Sequence, residues 1–294
     1  MAATSSIEWT DATWNPVTGC TRVSKGCDLC YAATLTRRLA AMGQEKYQGL
    51  INPGKDHFNG IVKTHPDTLG IPLRQKKKTM WFVNSMSDLF HKGVPEAFIV
   101  DVFEVMARTP RHIYQILTKR GDRMREIMPR VWMALSERFD GKGLDLPLAN
   151  VWLGTSVEDE AVKGRIDDLA ATPAAVRFLS CEPLLGPLAK MNLTGIHWVI
   201  IGGESGHGAR PMNTQWAEDI IEQCRNAGVA CFVKQLGARP YEPATGPKGW
   251  NTPLPQRSVK GGDPSEWPPQ LRVREHPTEQ MPEQWAIADL RSAV

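Results

Sequence analysis

The sequence has no long apolar run, no leader-like start and no basic or acidic excess. It contains no stretch of about eighteen or more apolar residues, so a membrane-spanning helix is not predicted. The first residues, MAATSSIEWTD, have neither the basic segment nor the apolar core of a signal peptide. We therefore expect a cytoplasmic protein with no membrane partner. The net charge of +3 permits a nucleic-acid partner but does not require one.

Cysteines are also few, and their placement argues against a disulfide framework. Of the six cysteines in 294 residues, Cys181, Cys224 and Cys231 are scattered through apolar segments. Cys224 and Cys231 are expected in the core, whereas Cys181 lies at a predicted strand end beside Glu182. With 41% hydrophobic residues, the chain has enough apolar side chains for one large domain or two small ones.

The remaining three cysteines, Cys20, Cys27 and Cys30, lie within eleven residues of a glycine-containing loop. Such a cluster is typical of a metal centre, because thiolates must converge on the metal from a flexible backbone. Two centres remain open at this point. A structural zinc would need a fourth ligand, for which His57 and His65 are the nearest downstream histidines. A cubane cluster held by three cysteines would keep one iron open.

The rest of the chain predicts an α/β fold. Short apolar runs, polar ends and amphipathic helices follow one another, which is the pattern of βα units around a parallel sheet. We predict a partial or complete (β/α) barrel of about six to eight parallel strands. It would cover residues 1–236, with the cysteine loop at its start, an insertion at 43–78 and a loop insertion from Ser136 to Leu148. Residues 237–294 would form an irregular Pro/Gly/Trp-rich extension packed on the barrel and anchored by Trp250 and Trp267.

Polar side chains stand at each predicted strand end, where parallel strands build a functional face. Any one carboxylate there is equally well explained as a helix cap, but capping does not explain the lysines and arginine. The glycines at 202–203 either make a tight turn or let backbone amides approach an anionic group. These strand-end residues are Ser85, Asp88, Lys119, Arg120, Ser156, Glu158, Glu182, Glu204, Lys234 and Gln235.

Several motifs together carry a resemblance to a known family. They are IEWTDATWNPVTGC, GCDLCYA, NSMSDLF, QILTKR, VWLGTSVE, RFLSCEPLLGPL, WVIIGGESGHGARPM, FVKQLG and KGGDPSEWPPQLRVREHP. With these motifs the chain resembles the phage and bacterial three-cysteine-motif proteins, a family of unknown function common in phage genomes. That family is similar to radical S-adenosylmethionine (radical SAM) enzymes. In those enzymes three cysteines bind a [4Fe-4S] cluster, and its open iron chelates the methionine part of SAM.

The resemblance implies roles for individual residues. Cys20, Cys27 and Cys30 would ligate the cluster. Ser85, Asp88, Ser156, Glu158, Gly202 and Gly203 would hold SAM, and Lys119, Arg120, Glu182, Glu204 and Lys234 would line the substrate space. The pattern departs from the usual one in its C-x6-C-x2-C spacing, in Leu29 before the last cysteine, and in NSMSD where Gly-Gly-Glu is usual. Ser85 and Asp88 would therefore take the ammonium of SAM.

The implied function is that of an iron-sulfur enzyme. An electron donor would reduce the cluster, SAM would be cleaved to a 5′-deoxyadenosyl radical, and a nucleotide or nucleic-acid substrate would be modified or repaired. Two alternatives stay open: a non-catalytic iron-sulfur protein that senses redox state or binds DNA, and a zinc-stapled barrel with hydrolytic or binding function.

Overall fold

The computed structural model describes residues 3–5, 7–141, 143–244 and 251–277. They divide into two compact units. The first comprises the described residues of Met1–Gly154 and Ala171–Val176, and the second comprises those of Thr155–Ala170 and Arg177–Pro277. In the part of the chain that is described, no helix has both the length and the apolar character needed to cross a membrane.

The first unit is built on a sheet in the order β1-β2-β5-β6-β7. Strands β2, β5 and β6 are parallel to one another, and β1 is antiparallel to β2. Strand β5 is buried along its whole length, as expected for a parallel strand that is covered on both faces. The strands of this unit are β1 (Ala3–Thr4), β2 (Ala12–Trp14), β3 (Val17–Thr18), β4 (Lys63–Thr64), β5 (Met80–Val83), β6 (Ile113–Thr118) and β7 (Val151–Ser156), which begins in it.

Four helices accompany these strands: α1 (Tyr31–Ala41), α2 (Gly70–Arg74), α3 (Glu96–Ala107) and α4 (Gly121–Arg138). Helices α3 and α4 pack through Phe103 and Trp132, whose ring centroids are 5.1 Å apart. Helix α4 continues beyond Ser136, where the sequence predicted a loop to begin. Arg138 explains this extension, because its Nη1 lies 2.7 Å from carboxylate oxygens of both Asp101 and Glu104 in α3.

The insertion at 43–78 supports the cysteine loop. Its strand β4 pairs with β3 in an antiparallel two-stranded sheet directly before Cys20. Three of its side chains, Tyr47, Leu50 and Phe58, are buried in a small apolar cluster. Cys20 and Cys30 pack against that cluster. One side of the cysteine loop is therefore lined by hydrophobic residues of the insertion.

The second unit contains a parallel series in the order β8-β9-β11 and a three-stranded sheet in the order β10-β12-β13. Cys181, Cys224 and Cys231 are all buried free thiols of this unit, so the prediction that Cys224 and Cys231 lie in the core is confirmed. Its elements are α5 (Arg165–Ala170), β8 (Val176–Cys181), β9 (Trp198–Gly202), β10 (Met212–Asn213), α6 (Thr214–Ala227), β11 (Ala230–Gln235), β12 (Pro240–Glu242) and β13 (Thr252–Pro253).

The predicted fold class is confirmed. Seven strands are parallel, and together with their helices they give the α/β partial-barrel class. The described part of the predicted extension belongs to the second unit and is mostly irregular apart from β12, β13 and two short 3-10 helices, Pro264–Glu266 and Pro269–Leu271. Trp267 is buried there, and its Nε1 donates to the carbonyl of Gly261 at 3.0 Å. The other predicted anchor, Trp250, lies outside the described residues, and the predicted boundary at 236 stays a prediction.

His276 makes the second unit sensitive to acid. Its ring lies against Trp198 and Phe232, with centroids 5.3 Å apart in both pairs. Burial, followed by the charge of Arg274, lowers the pKa of His276 to about 4. Because the imidazole titrates at a higher pH in the unfolded chain, the folded state is favoured above pH ~6.5 and loses that advantage as the pH falls towards 4.

We expect His276→Phe to reduce this acid sensitivity. Between pH 7 and pH 4.5 the imidazole accounts for about 2–3 kcal/mol of lost unfolding free energy. Urea titrations at the two pH values measure the difference, which should be smaller in the variant by this amount. His57→Gln, at an exposed histidine, is the control and should behave as the unmutated protein. An equal pH dependence in all three proteins would rule out His276 as the cause.

Candidate metal centre

Cys20, Cys27 and Cys30 lie on the segment between β3 and α1. Cys27 ends a short 3-10 helix, Lys25–Cys27, and Cys30 is the N-cap residue of α1. All three are free thiols of intermediate exposure. The predicted set of metal ligands is thus presented by one loop that is neither buried in the core nor fully open to water.

The start of this loop is fixed to the end of β5. Gly19 forms an isolated parallel bridge with Ser87, whose hydroxyl donates to the carbonyl of Val17 at 2.8 Å. The Val17 N–H donates to Asn84 Oδ1 at 3.3 Å. Gly19 has a φ of +89°, and a Cβ there would lie 2.1 Å from the carbonyl oxygen of Ile61. Only glycine fits at this position, directly before the first cysteine.

Asn84 and Ser85 form a second polar group at the same strand end. Asn84 is buried with a φ of 60°. Because its Oδ1 accepts from Val17, the amide orientation is fixed, and among the described residues its buried Nδ2 has no acceptor. The Ser85 hydroxyl donates to Asn15 Oδ1 at 3.2 Å, and the Tyr31 hydroxyl donates to the Ser85 carbonyl at 2.6 Å. These contacts bring the predicted SAM ligand Ser85 next to the residue that follows Cys30.

Asp88 has partners other than the predicted ammonium. Its carboxylate accepts from Thr118 Oγ1 at 2.8 and 2.9 Å and from the Phe90 N–H at 2.9 Å. It also accepts from Arg120 Nη1 at 2.7 Å and from the Lys119 N–H at 3.3 Å. With five contacts the carboxylate has little capacity left for a ligand. Among these contacts of Asp88, the one with Arg120 is made by a charged group.

Arg120, predicted to line the substrate space, contacts the cysteine loop. Its Nη1 lies 3.7 Å from Cys20 Sγ, and its Nη2 donates to the Thr21 carbonyl at 3.1 Å and to Thr21 Oγ1 at 2.7 Å. The same hydroxyl lies 3.0 Å from His91 Nε2. Since His91 Nδ1 accepts from the Gly93 N–H, Nε2 carries the proton and donates to Thr21. Burial lowers the pKa of His91 to about 4, so the imidazole is neutral near pH 7.

The pKa values of Cys20 and Cys30 are both raised above the ordinary range of a thiol. Burial raises the pKa of Cys20 to about 12, with a further contribution from Asp88, whereas Arg120 acts in the opposite direction. Burial also raises the pKa of Cys30, opposed by the N–H groups of Ala33 and Ala32 and by Lys119. Cys30 adds to the shift at Cys20, and Cys27 adds to the shift at Cys30. The metal-free loop therefore carries protonated thiols at Cys20 and Cys30, and a metal would displace their protons.

The two kinds of metal centre place different demands on the three thiols. Around a zinc, sulfurs bound at about 2.3 Å lie within about 3.8 Å of one another, and a fourth ligand is needed. Within the described ranges, no three His, Cys, Asp or Glu side chains are arranged to hold one metal ion. A cubane spreads its ligands, because each cysteine binds a different iron. Three cysteine ligands would leave one iron of such a cluster open.

In the second unit, each predicted carboxylate is paired with a basic residue. Arg165 Nη1 lies 3.0 Å from Glu158 and also donates to the Ser156 carbonyl at 2.9 Å. Arg210 donates to Glu204 from its backbone N–H and from two guanidinium nitrogens. These two carboxylates are buried. Each of these two buried carboxylates therefore has a basic partner within the protein.

The third pair, Glu182 with Lys234, is the more accessible one. Lys234 Nζ lies 2.6 Å from Glu182 Oε1, and each side chain is 18% exposed. The two glycines beside this pair are explained by close packing. A Cβ at Gly202 would lie 3.0 Å from Glu182 carbon atoms, and one at Gly203 would lie 2.2 Å from the Leu236 carbonyl oxygen. Of the predicted residues in this unit, Glu182 and Lys234 are thus the pair that a ligand can reach.

Sequence reasoning missed several residues that complete these groups: Asn15, Thr21, Asn84, His91, Arg165 and Arg210. Arg165 and Arg210 follow their carboxylates by only a few residues, so a search for nearby opposite charges would have found them. Thr21 adjoins Cys20, but its contact with Arg120 joins residues 99 positions apart. No local pattern predicts such a contact.

Comparison with known proteins gives a family but no activity. A family model described as "Protein of unknown function (DUF5131)" matches residues 4–274. The chain belongs to the DUF5131 family. No curated protein matches it. The phage association and the three-cysteine name expected from the sequence stay predictions for this DUF5131 member.

Solved structures similar to the DUF5131 chain include several of spore photoproduct lyase. One, a mutant with bound AdoMet and dinucleoside spore photoproduct, is 12% identical with a TM-score of 0.45, covering 86% of this chain and 70% of the lyase chain. Another, complexed with dinucleoside spore photoproduct, is 12% identical with a TM-score of 0.41, covering 87% and 72%. The bound molecules are those of the lyase.

Proposed function

We propose that this DUF5131 protein is an iron-sulfur enzyme of the radical-SAM type, with a [4Fe-4S] cluster bound by Cys20, Cys27 and Cys30. The observation that carries the proposal is the loop itself. It presents three partly exposed free thiols within eleven residues, two of which, Cys20 and Cys30, pack against the same apolar cluster. Three ligands without a fourth are the set that leaves one iron open for a further molecule.

The surroundings of the loop suit a cluster. The buried side chains of Tyr47, Leu50 and Phe58 would exclude water from the side on which Cys20 and Cys30 pack. At Cys30 the N–H groups of Ala32 and Ala33, in the first turn of α1, act towards the sulfur and favour its anionic form. At Cys20 the same effect comes from Arg120.

For SAM, we propose Ser85 and its neighbour Asn84 as contacts in the first unit. Asn84 Nδ2 is a buried donor without an acceptor among the described residues, and its orientation is fixed by Val17. Such an atom is costly to leave unpaired, so it favours a ligand acceptor. With the cluster bound, one electron from a protein or chemical reductant would break the C5′–S bond of SAM, giving methionine and a 5′-deoxyadenosyl radical that takes a hydrogen atom from substrate.

We propose a nucleotide or nucleic-acid substrate. Lys234 and Glu182 offer it an ammonium and a carboxylate that are both partly exposed, and the net charge of +3 permits an anionic partner. Ser156, Glu158, Gly202, Gly203 and Glu204 stay as sequence-based proposals for the second unit. Equilibrium binding of labelled mononucleotides and of single- and double-stranded DNA tests the substrate class. If none of them binds, this part of the proposal is withdrawn.

Cleavage of SAM by the reduced protein tests the enzyme activity. The anaerobically reconstituted protein is reduced with dithionite and incubated with SAM, and the products are separated by chromatography. We expect 5′-deoxyadenosine and methionine in equal amounts, and neither product from Cys20→Ala. A fully reduced cluster that yields no 5′-deoxyadenosine would instead support the non-catalytic iron-sulfur alternative.

A further inference from the structure

The guanidinium of Arg120 is held in one position beside Cys20. Nη1 contacts Asp88 at 2.7 Å and Cys20 Sγ at 3.7 Å. Nη2 contacts the carbonyl and the hydroxyl of Thr21 at 3.1 and 2.7 Å. Only 11% of the side chain is exposed. Because both terminal nitrogens are occupied, the positive charge stays at the sulfur and does not swing towards a substrate.

The negative charge of Asp88, beside the Arg120 guanidinium, is also fixed in position. The Asp88 side chain is 7% exposed and is oriented by Thr118 and by the Phe90 N–H. The pair is neutral as a whole, but its positive member is the one in contact with the sulfur. At this burial the two charges are poorly screened by solvent. Each of them therefore influences the electrostatic potential at Cys20, with opposite sign.

We propose that Arg120 and Asp88 are positioning residues that set the reduction potential of the metal centre through Cys20. This inference rests on the proposed function, since it requires a cluster on the three cysteines. Hydrogen bonds and charges at cluster sulfurs are known determinants of cluster potentials. A positive donor at the sulfur stabilises the more negative, reduced state of the cluster. Arg120 raises the potential, and Asp88 limits that effect.

Two substitutions of opposite sign test the proposal. Arg120→Gln removes the positive charge and should shift the midpoint potential to more negative values, whereas Asp88→Asn should shift it to more positive values. Arg120→Lys keeps a positive charge beside the sulfur but loses the two hydrogen bonds to Thr21. Its midpoint potential should therefore lie close to that of the unmutated protein. The potentials are read in anaerobic redox titrations followed by the spectrum of the reduced cluster.

A purely structural role predicts a different outcome. If these residues only fastened the loop, both Arg120→Gln and Asp88→Asn would loosen it, and the two potentials would move in the same direction. That result, or no shift in either variant, would overturn the proposal. Circular dichroism and thermal unfolding identify the variants that are folded. Asp88→Asn preserves the shape of the side chain, so it tests the proposal even if the Arg120 variants do not fold.

A measurement on the metal-free protein separates failure of this inference from failure of the proposed function. Iodoacetate, which is an anion, and iodoacetamide, which is neutral, alkylate the same thiolate. The rate with iodoacetate divided by the rate with iodoacetamide therefore reports the local charge at Cys20, and mass spectrometry identifies the alkylated cysteine. We expect this ratio to fall on the order of fivefold in Arg120→Gln and to rise in Asp88→Asn. If iron and sulfide are absent but the ratios change in this way, the charges act on Cys20 and the cluster assignment is wrong. If the cluster is present and the ratios are unchanged, the inference is wrong.

Discussion

Cys27→Ala is expected to lose nearly all of the iron and sulfide that the unmutated protein binds. The proposed centre has three protein ligands, Cys20, Cys27 and Cys30, all of them free thiols. Because the site has no ligand to spare, removing one leaves two contacts for a cluster that needs three. We expect the iron content after anaerobic reconstitution to fall by at least about tenfold. Cys20→Ala and Cys30→Ala should behave alike.

Cys224→Ala is the matched control for this experiment. Cys224 is also a free thiol, but it is buried in α6 of the second unit. Its substitution creates a small core cavity, with a modest effect on stability, and it should leave iron and sulfide unchanged. If Cys27→Ala retained the unmutated content, or if Cys224→Ala lost it equally, the three-cysteine site would be refuted.

Gly19→Ala is expected to displace the cysteine loop and to destabilise the first unit. The alanine would need a φ of +89°, and its Cβ would lie 2.1 Å from the Ile61 carbonyl oxygen, an atom of the backbone that cannot rotate away. The left-handed conformation alone costs about 1–2 kcal/mol. With the collision added, we expect a loss of about 3–5 kcal/mol of unfolding free energy. Denaturant unfolding measures it, and iron content reports the displaced loop.

Comparison with Gly43→Ala separates the cost of the collision at Gly19 from the cost of the left-handed backbone conformation. Gly43 has a similar φ of +81°, but a Cβ there would have no atom within 4 Å. Its substitution should cost only about 1–2 kcal/mol, and iron binding should be retained. Equal losses of stability at the two positions would show that Gly19 is required for its φ alone, and the close approach to Ile61 would then have no part in holding the loop.

The fold was largely predictable because its signals are local. Buried runs such as Met80–Val83 and Ala230–Gln235 are continuous in sequence, and a helical stripe such as that of α3 can be recognised without knowing its partner. The continuation of α4 to Arg138 was not predictable in the same way. It depends on ion pairs with Asp101 and Glu104, which belong to another helix.

Only those parts of the candidate site that show in residue types and their spacing could be predicted from the sequence. The cysteine loop follows from three thiols within eleven residues. The hydrogen bonding of Asp88 could not be predicted in this way. A carboxylate at a strand end looks available to a ligand until its contacts with Thr118 and Arg120 are known. Similarly, the sequence left a tight turn and a ligand contact open for Gly202, and its close packing against Glu182 could not be predicted from it. Tertiary contacts decide which polar residues are used by the protein itself.

Metal analysis of the protein purified without oxygen shows whether the three cysteines bind an iron-sulfur cluster or zinc. Iron, acid-labile sulfide and zinc are quantified on the same sample and expressed per chain. The three-cysteine site proposed here predicts about four iron and four sulfide per chain, with zinc below stoichiometric amounts. One zinc per chain without sulfide would contradict the account and would establish the loop as a structural staple.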